Sequence, residues 1–347
     1  MGSSRSINVG CTNNNINGRP GSLAALLVAS RGALAIGTPY GFTTATTGGG
    51  GAPRVTPTSA AQLKGFLADN TARTIILDRT YDFTDSEGSA TETGCKPWSC
   101  SPNPQLAINA NNWCASSAAK VKVTYKKAGT SGLANIRISD INAQYIWRGD
   151  AIDLQGVTNV WIDHNHFKDV GRQFIVTHFN PDTKVTISNN YFDGQATWST
   201  GCDKHHYWVF LMLGKNEQMT LAHNYIHCTS DRGPHIGGTS GNKQLLHIYF
   251  NDVTGHALDP GVGSSVLAEG NYFNKVQTPL TGNKAGAVFA PTSSSMVNPA
   301  GSGALTNSAN SGVISQFNTP AVKGAWIMDP SAVTKCVLAN AGTGKVA

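Results

Sequence analysis

One short segment recurs along the second half of this chain and limits its fold more than any other feature. An alternating apolar strand runs into Asn and an aromatic residue in Asn159-Val-Trp-Ile-Asp-His-Asn-His-Phe167, Lys184-Val-Thr-Ile-Ser-Asn-Asn-Tyr-Phe192, Gln218-Met-Thr-Leu-Ala-His-Asn-Tyr-Ile226 and Ser265-Val-Leu-Ala-Glu-Gly-Asn-Tyr-Phe273. A degenerate copy lies around Leu245 to Val253, and the repeated Asn are Asn165, Asn190, Asn224 and Asn271. Copies separated by a few tens of residues, with strands only and no helical segment between them, are the sequence form of a solenoid. If each strand pairs with its equivalent one coil later, about 4.8 Å along the axis, apolar residues stack inside. The Asn then stack as a ladder at a bend whose left-handed backbone Asn tolerates. The expected fold is all-β, a single-stranded parallel β-helix with long surface loops. Leucine-rich repeats lack support because no Leu-x-x-Leu-x-Leu frame recurs, and propeller blades would need hairpin signals that are missing between the copies.

Composition agrees with that reading. Only 13% of the 347 residues are charged, and 29 Asn outnumber the 20 Asp and Glu together, which argues against bundles, coiled coils and doubly wound α/β folds. A hydrophobic share of 40% with a net charge of +6 leaves enough apolar surface for a core and argues against disorder. The basic residues are scattered without a Lys/Arg run, so a groove for an acidic or polar polymer fits the charge as well as nucleic acid does. No apolar run approaches the roughly 18 residues of a membrane span.

The ends and the cysteines carry further expectations. Ser22 to Ser30, followed by Ala33-Leu-Ala35, reads as the apolar region and cleavage site of an exported chain, with a small N-terminal helix as the alternative. Residues 1–35 are therefore set apart as an extension, and 36–347 as one β-helix domain. Val55 to Asp82 reads as a capping unit, with a helix over Thr58 to Asp69 beginning at Thr58 or Ser59, and first strands over Arg73 to Phe83. Gly48 to Gly51 reads as an entry loop. Cys95, Cys100, Cys114 and Cys202 form a cluster that permits three pairings, and the absence of a second Cys-x-x-Cys or a matching His pair speaks against a zinc knuckle. Cys228 and Cys336 sit in apolar contexts and read as buried thiols. Cys11 is expected to leave with the N-terminus.

Three residues stand at separations that bring them to one face. Asp150 and Arg172 are 22 positions apart, close to one coil, which makes them neighbours on adjacent rungs. Arg232 follows Arg172 by 60 positions, and a loop around Gly194 to Lys204 absorbs part of that distance, so all three can meet in one groove. His164 with His166, and His223 with His227, lack a third convergent ligand of known spacing, and no metal site is expected there.

The segments Gly149-Asp-Ala-Ile152, Val160-Trp-Ile-Asp-His164, Gly171-Arg-Gln173, His205-His-Tyr-Trp208, Asp231-Arg-Gly-Pro234 and Val266-Leu-Ala-Glu-Gly-Asn271 together resemble the fungal pectin lyases of the pectate lyase superfamily, polysaccharide lyase family 1. Similarity runs from about Gly37 through Asn340. The resemblance implies a right-handed β-helix that cleaves methyl-esterified polygalacturonate by β-elimination, outside the cell, as a monomer, without a cofactor and without nucleic-acid or membrane partners. It casts Arg232 as the base, with its side chain pointing into the groove and supporting no packing. Arg172 becomes the cation standing where calcium-dependent relatives use metal and lysine, and Asp150 an acidic partner kept from the metal site. Trp98, Trp113, Trp147, Tyr207 and Trp208 match positions lining an aromatic substrate cleft, whereas Trp161 and Trp326 read as packing residues. The resemblance also implies that Cys95 pairs with Cys114 and Cys100 with Cys202.

Against the family pattern the chain is about thirty residues, roughly one coil, shorter between Ala128-Gly-Thr130 and Tyr145-Ile-Trp147. It is shorter again over Leu246 to Asp252, where a doubled Asn is missing. A solenoid can lose a whole coil and reclose, while a fractional coil breaks register. Two other functions compete. A calcium-dependent pectate lyase needs several carboxylates facing Asp150, and the run Lys204 to Lys215 offers none. A noncatalytic polysaccharide-binding β-helix is the alternative that the shortening favours.

Overall fold

The computed structural model describes residues 7–8, 39–44, 53–69, 71–82, 88–101, 104–115, 119–126, 136–137, 146–147, 150–237, 240–281, 285–291 and 294–343. A large sheet system of parallel strands winds through the second half of the chain, each strand paired with its equivalent one coil on. Thr158–Asp163, Thr183–Ser188 and the start of Gln218–Asp231 stack with Val160 opposite Val185 and Val185 opposite Met219. The next coils continue through Asn242–Pro260, Ser264–Ala268 and Ala287–Phe289. This is the expected parallel β-helix.

Stacking of like on like makes the core. Phe167 lies on Phe192 with ring centroids 4.8 Å apart, and Phe250 on Phe273 at 4.9 Å, all four fully buried. Ile162, Ile187, Leu221 and Leu246 form a second buried column. On the outer face Tyr191, Tyr225 and Tyr249 stack at 4.9 and 5.1 Å, and the C-terminal helix Pro330–Asn340 covers this row with Val333 and Val337. The capping helix runs Ala60–Ala68, and the Ser59 side chain accepts from the Gln62 backbone N–H as an N-cap does. The strands expected over Arg73 to Phe83 are shorter, a bridge between Ile75 and Val55 and the strand Tyr81–Asp82. The Gly48 to Gly51 loop, the Ser22 to Ala35 segment and Cys11 lie outside the described residues, while Ile7–Asn8 pairs with Ile327–Met328.

The Asn ladder forms, but its bend differs from expectation. The Asn165 side chain donates to Asn190 Oδ1, and that of Asn190 to Asn224 Oδ1, both at 3.1 Å. The left-handed residue is the one before each ladder Asn: His164 (φ 55°), Asn189 (φ 51°), His223 (φ 55°) and Gly270 (φ 65°). The Asn keep ordinary backbone and instead satisfy buried peptide groups, as Asn190 Nδ2 does for the Ile162 carbonyl. In the degenerate copy Asn224 lies opposite Ile248, and the register slips by one residue between Ala222 and Asn224. His223 has no counterpart there, so the shorter coil absorbs one residue at the bend. Asn271 Oδ1 then accepts from the Ile248 backbone N–H. Around the larger shortening, Ile136–Arg137 pairs with Tyr81–Asp82 on one side, and Arg137 pairs with Lys168 on the other.

Cys95 is bonded to Cys114 and Cys100 to Cys202. The first bond braces an antiparallel excursion, Ser89–Lys96 against Ala119–Lys126; the second ties that excursion to the loop before His205. Cys228 is a free, buried thiol. Cys336, expected to be one too, is disulfide-bonded; an apolar context does not distinguish a thiol from a half-cystine, since both are buried.

Candidate active site

Successive coils present Asp150, Arg172, Trp208 and Arg232 along one edge. Ile152 pairs with Ile175, Ile175 with Phe210, and the Phe210 backbone N–H donates to the Arg232 carbonyl. Asp150 and Arg172 thus sit on adjacent rungs, and Arg172 Nη1 contacts Asp150 Oδ2 at 2.9 Å. The other carboxylate oxygen accepts from the Gln173 backbone N–H at 2.9 Å. Burial raises the Asp150 pKa, against the pull of Arg172. Asp153, whose carboxylate lies 3.0 Å from His178 Nε2, adds negative charge next to it.

Arg232 is two rungs from Arg172, with Trp208 between them. Its guanidinium carbon lies 4.1 Å from the Trp208 ring centre, and that of Arg172 lies 5.8 Å from it. One indole therefore contacts two cations. The expectation that Arg232 supports no packing is corrected by this contact: the side chain is half-buried on the indole. Burial lowers the Arg232 pKa and the Arg172 charge lowers it further, while Asp259, Tyr207 and Asp231 pull the other way. The backbone of Arg232 is left-handed (φ 60°), a conformation that a non-glycine residue holds at a cost and that is common at functional sites.

A charge network beneath Arg232 was not read from the sequence. His256 Nδ1 lies 2.7 Å from Asp231 Oδ1, and His235 Nδ1 lies 2.5 Å from Asp259 Oδ2. Burial works against the His256 charge, yet Asp231 and Asp259 carry its pKa up to about 9. Gly255 makes room for the Asp231 carboxylate, since a Cβ there would lie 2.2 Å from Oδ1. The signal lay in the separations: Asp231 to His256 is 25 positions and His235 to Asp259 is 24, each one coil.

The aromatic residues divide into groups. Tyr207 and Trp208 have ring centroids 5.1 Å apart beside the two arginines. Trp98 and Trp113 form a separate pair at 6.1 Å on the braced excursion, with Trp113 47% exposed. Trp147 lies on a short strand with its backbone opposite Ala107, and its side chain is outside the described residues. Trp161 donates to Ser188 Oγ at 2.8 Å on the stack, and Trp326 packs beside His223, as packing residues do. The site can therefore supply a guanidinium of lowered pKa, a second cation, and flat rings on which sugar faces can stack.

Comparison with known proteins shows close relatives. The chain is 36% identical over 380 aligned residues to a pectin lyase of Emericella nidulans, covering 94% of this chain and 98% of that protein. It is 38% identical over 314 residues to a pectin lyase of Aspergillus niger, covering 79% and 83%. The first alignment is longer than this chain, so that relative carries residues missing here. Among solved structures, a pectate lyase from Bacillus sp. N165 in complex with trigalacturonate shares the fold with a TM-score of 0.52 at 18% identity, covering 89% of this chain and 100% of that one. No family model matches the sequence.

Proposed function

This chain belongs to the pectin lyases, and from that premise we propose that its edge of stacked Asp150, Arg172, Trp208 and Arg232 carries out β-elimination on methyl-esterified polygalacturonate. The single observation that carries the residue assignment is that Arg172 and Arg232 both lie against the Trp208 indole, because this sets a second cation beside a half-buried guanidinium and so supports an arginine acting as a base. A guanidinium normally stays protonated far above neutrality. Partial burial and a second cation nearby both disfavour its charged form, and methyl-esterified substrate would exclude more water.

In this reading the neutral Arg232 accepts the C5 proton, which the neighbouring ester makes acidic. The electron pair left on C5 delocalises into the ester as an enolate, and Arg172 stabilises that charge. The pair then forms the C4–C5 double bond as the C4–O4 bond breaks, and the departing oxygen takes a proton from water. Asp150 orients Arg172 through their ion pair. Tyr207 and Trp208 seat sugar faces near the reacting ring, and Trp98, Trp113 and Trp147 extend the aromatic cleft. His256, through Asp231, positions the segment that bears Arg232.

The substrate is pectin, acted on by a monomer exported from the cell. Among the described residues no helix is long and apolar enough to cross a membrane. This reading takes the larger shortening as the loss of one whole coil, which the pairing of Ile136–Arg137 with strands on both sides supports. Polygalacturonate would place a carboxylate where the enolate forms, and Asp150 with Asp153 supplies too few oxygens for a calcium ion that takes six to eight. The experiment is absorbance of unsaturated product from highly methylated pectin and from polygalacturonate, each with chelator and with calcium. Activity on pectin that ignores chelator is expected. Activity that is lost in chelator, restored by calcium and greater on polygalacturonate would overturn the reading.

A further inference from the structure

At the bend next to the groove, three successive coils place His205, Cys228 and Asp252 in one row. His206 pairs with Thr229, and Thr229 with Val253, so the residues just before them share a register position. The backbones of Cys228 and Asp252 are both left-handed, at φ 52° and 62°. Their side chains converge: His205 Nε2 lies 3.3 Å from Asp252 Oδ2, and Cys228 Sγ lies 3.4 Å from the same oxygen. One ligand atom from each of the three lies within 4.8 Å of the others. Ordinary rungs are about 4.8 Å apart, so His205 and Asp252, two rungs apart along the axis, lean towards the cysteine between them.

We propose that His205, Cys228 and Asp252 form a zinc site that staples three coils. Zinc bonds sulfur at about 2.3 Å and nitrogen or oxygen at about 2.0 to 2.2 Å. A tetrahedron with those bond lengths has edges of about 3.3 Å between nitrogen and oxygen and about 3.6 Å between sulfur and oxygen, close to the separations here. The imidazole is also prepared for the role. His205 Nδ1 donates to the Asp203 carbonyl oxygen at 2.8 Å, which is the usual partner of a metal-bound histidine. Its Nε2 is buried without a hydrogen-bond partner, although an acceptor lies 3.3 Å away. The donor set of sulfur, nitrogen and one carboxylate oxygen suits zinc and excludes calcium or magnesium.

Binding would displace the thiol proton to solvent and leave the fourth position to water. His227 Nε2, 3.2 Å from the same sulfur, stands beside the site. A proton competes with the ion for His205, because Asp203 and Cys228 push that imidazole up to about 11. If the proton wins, the three side chains are an ion pair beside a thiol and no metal is held. The site would act away from the chemistry but on the coils that carry it: Trp208 follows His205 by three residues and Arg232 follows Cys228 by four.

The test uses the full chain prepared without metal, mixed with excess zinc, desalted and analysed for metal content. Cobalt serves as a second probe through its thiolate charge-transfer absorption. The expected result is about one zinc per chain, loss of at least about tenfold in affinity in Cys228→Ala and in Asp252→Asn, and no charge-transfer band in Cys228→Ala. Zinc should also shield Cys228 from alkylation in the parent protein. Asp252→Asn keeps the thiol, and melting of both zinc-free variants checks that they fold. If Cys228→Ala does not fold, Asp252→Asn and the alkylation result decide. No retained zinc, retention unchanged by either substitution, or a cobalt spectrum without a thiolate band would overturn the proposal.

Discussion

Two arginines contact the Trp208 ring, and their roles in the proposed chemistry differ in a measurable way. Arg232→Ala removes the base, so kcat should fall by roughly 100-fold to 10,000-fold, the usual weight of general base catalysis. Circular dichroism should stay that of the β-helix, because Arg232 packs on the Trp208 indole at the groove edge and not in the core columns. Activity within a few-fold of the parent would remove it from the base role. Arg172→Ala should lower kcat more than it raises KM, since its charge matters most as the enolate forms. It also leaves the partly buried Asp150 carboxylate without its cation. The pair Asp150 and Arg172 could be read from a 22-residue separation. The indole between Arg172 and Arg232 could not, because the loop Gly194 to Lys204 hides the number of rungs that the 60-residue interval contains.

Within the elements, the ladder and the tethers make separate contributions. Asn190 is fully buried, accepts from the Asn165 backbone N–H and donates to the Ile162 carbonyl. Asn190→Leu leaves both peptide groups unpaired, and each costs about 1 to 3 kcal/mol. A fall of several kcal/mol in unfolding free energy from urea titration is expected, and a change below about 1 kcal/mol would show that water replaces the ladder. Cys100→Ser opens a link between residues 102 positions apart and should destabilise by roughly 2 to 4 kcal/mol. Proteolysis of the variant should begin in the excursion bearing Trp98, whose own sheet joins the coils at few points; cleavage unchanged from the parent would show that the Cys95–Cys114 link suffices. The sequence copies announced the strands because burial on one face selects a period of two. They misplaced the left-handed residue, since Asn fits both the bend and the ladder, and only backbone geometry shows which role it takes.

Across the whole molecule, a solenoid interior is not uniformly apolar, and this sets its response to pH. Glu217 is fully buried and takes hydrogen bonds from Asn242 and Gln244. Burial nevertheless carries its pKa from 4.5 to about 7, and burial raises Asp182 nearby to about 6. Between pH 4.5 and 7 native Glu217 therefore holds a proton that the unfolded chain has released, so its contribution to stability falls as pH rises across that window. His206 and His223, lowered by burial to about 4 and about 3, contribute with the opposite sign up to about pH 6.5. The Glu217 shift corresponds to about 3 kcal/mol. The melting temperature of the parent relative to that of Glu217→Gln, followed from pH 4.5 to 8, should fall as pH rises, and parallel profiles would place the proton elsewhere. The sequence alone determined the coil, its apolar columns, the family resemblance and the acid and arginine one rung apart, because a repeat writes nearest-neighbour contacts into the chain at fixed intervals. The tertiary structure decided what depends on convergence between rows and loops: the cations on Trp208, the His256 network under Arg232, and the row of His205, Cys228 and Asp252. Loop insertions scramble the sequence interval while strand register restores it in space, so these groups become neighbours only when the coils are stacked.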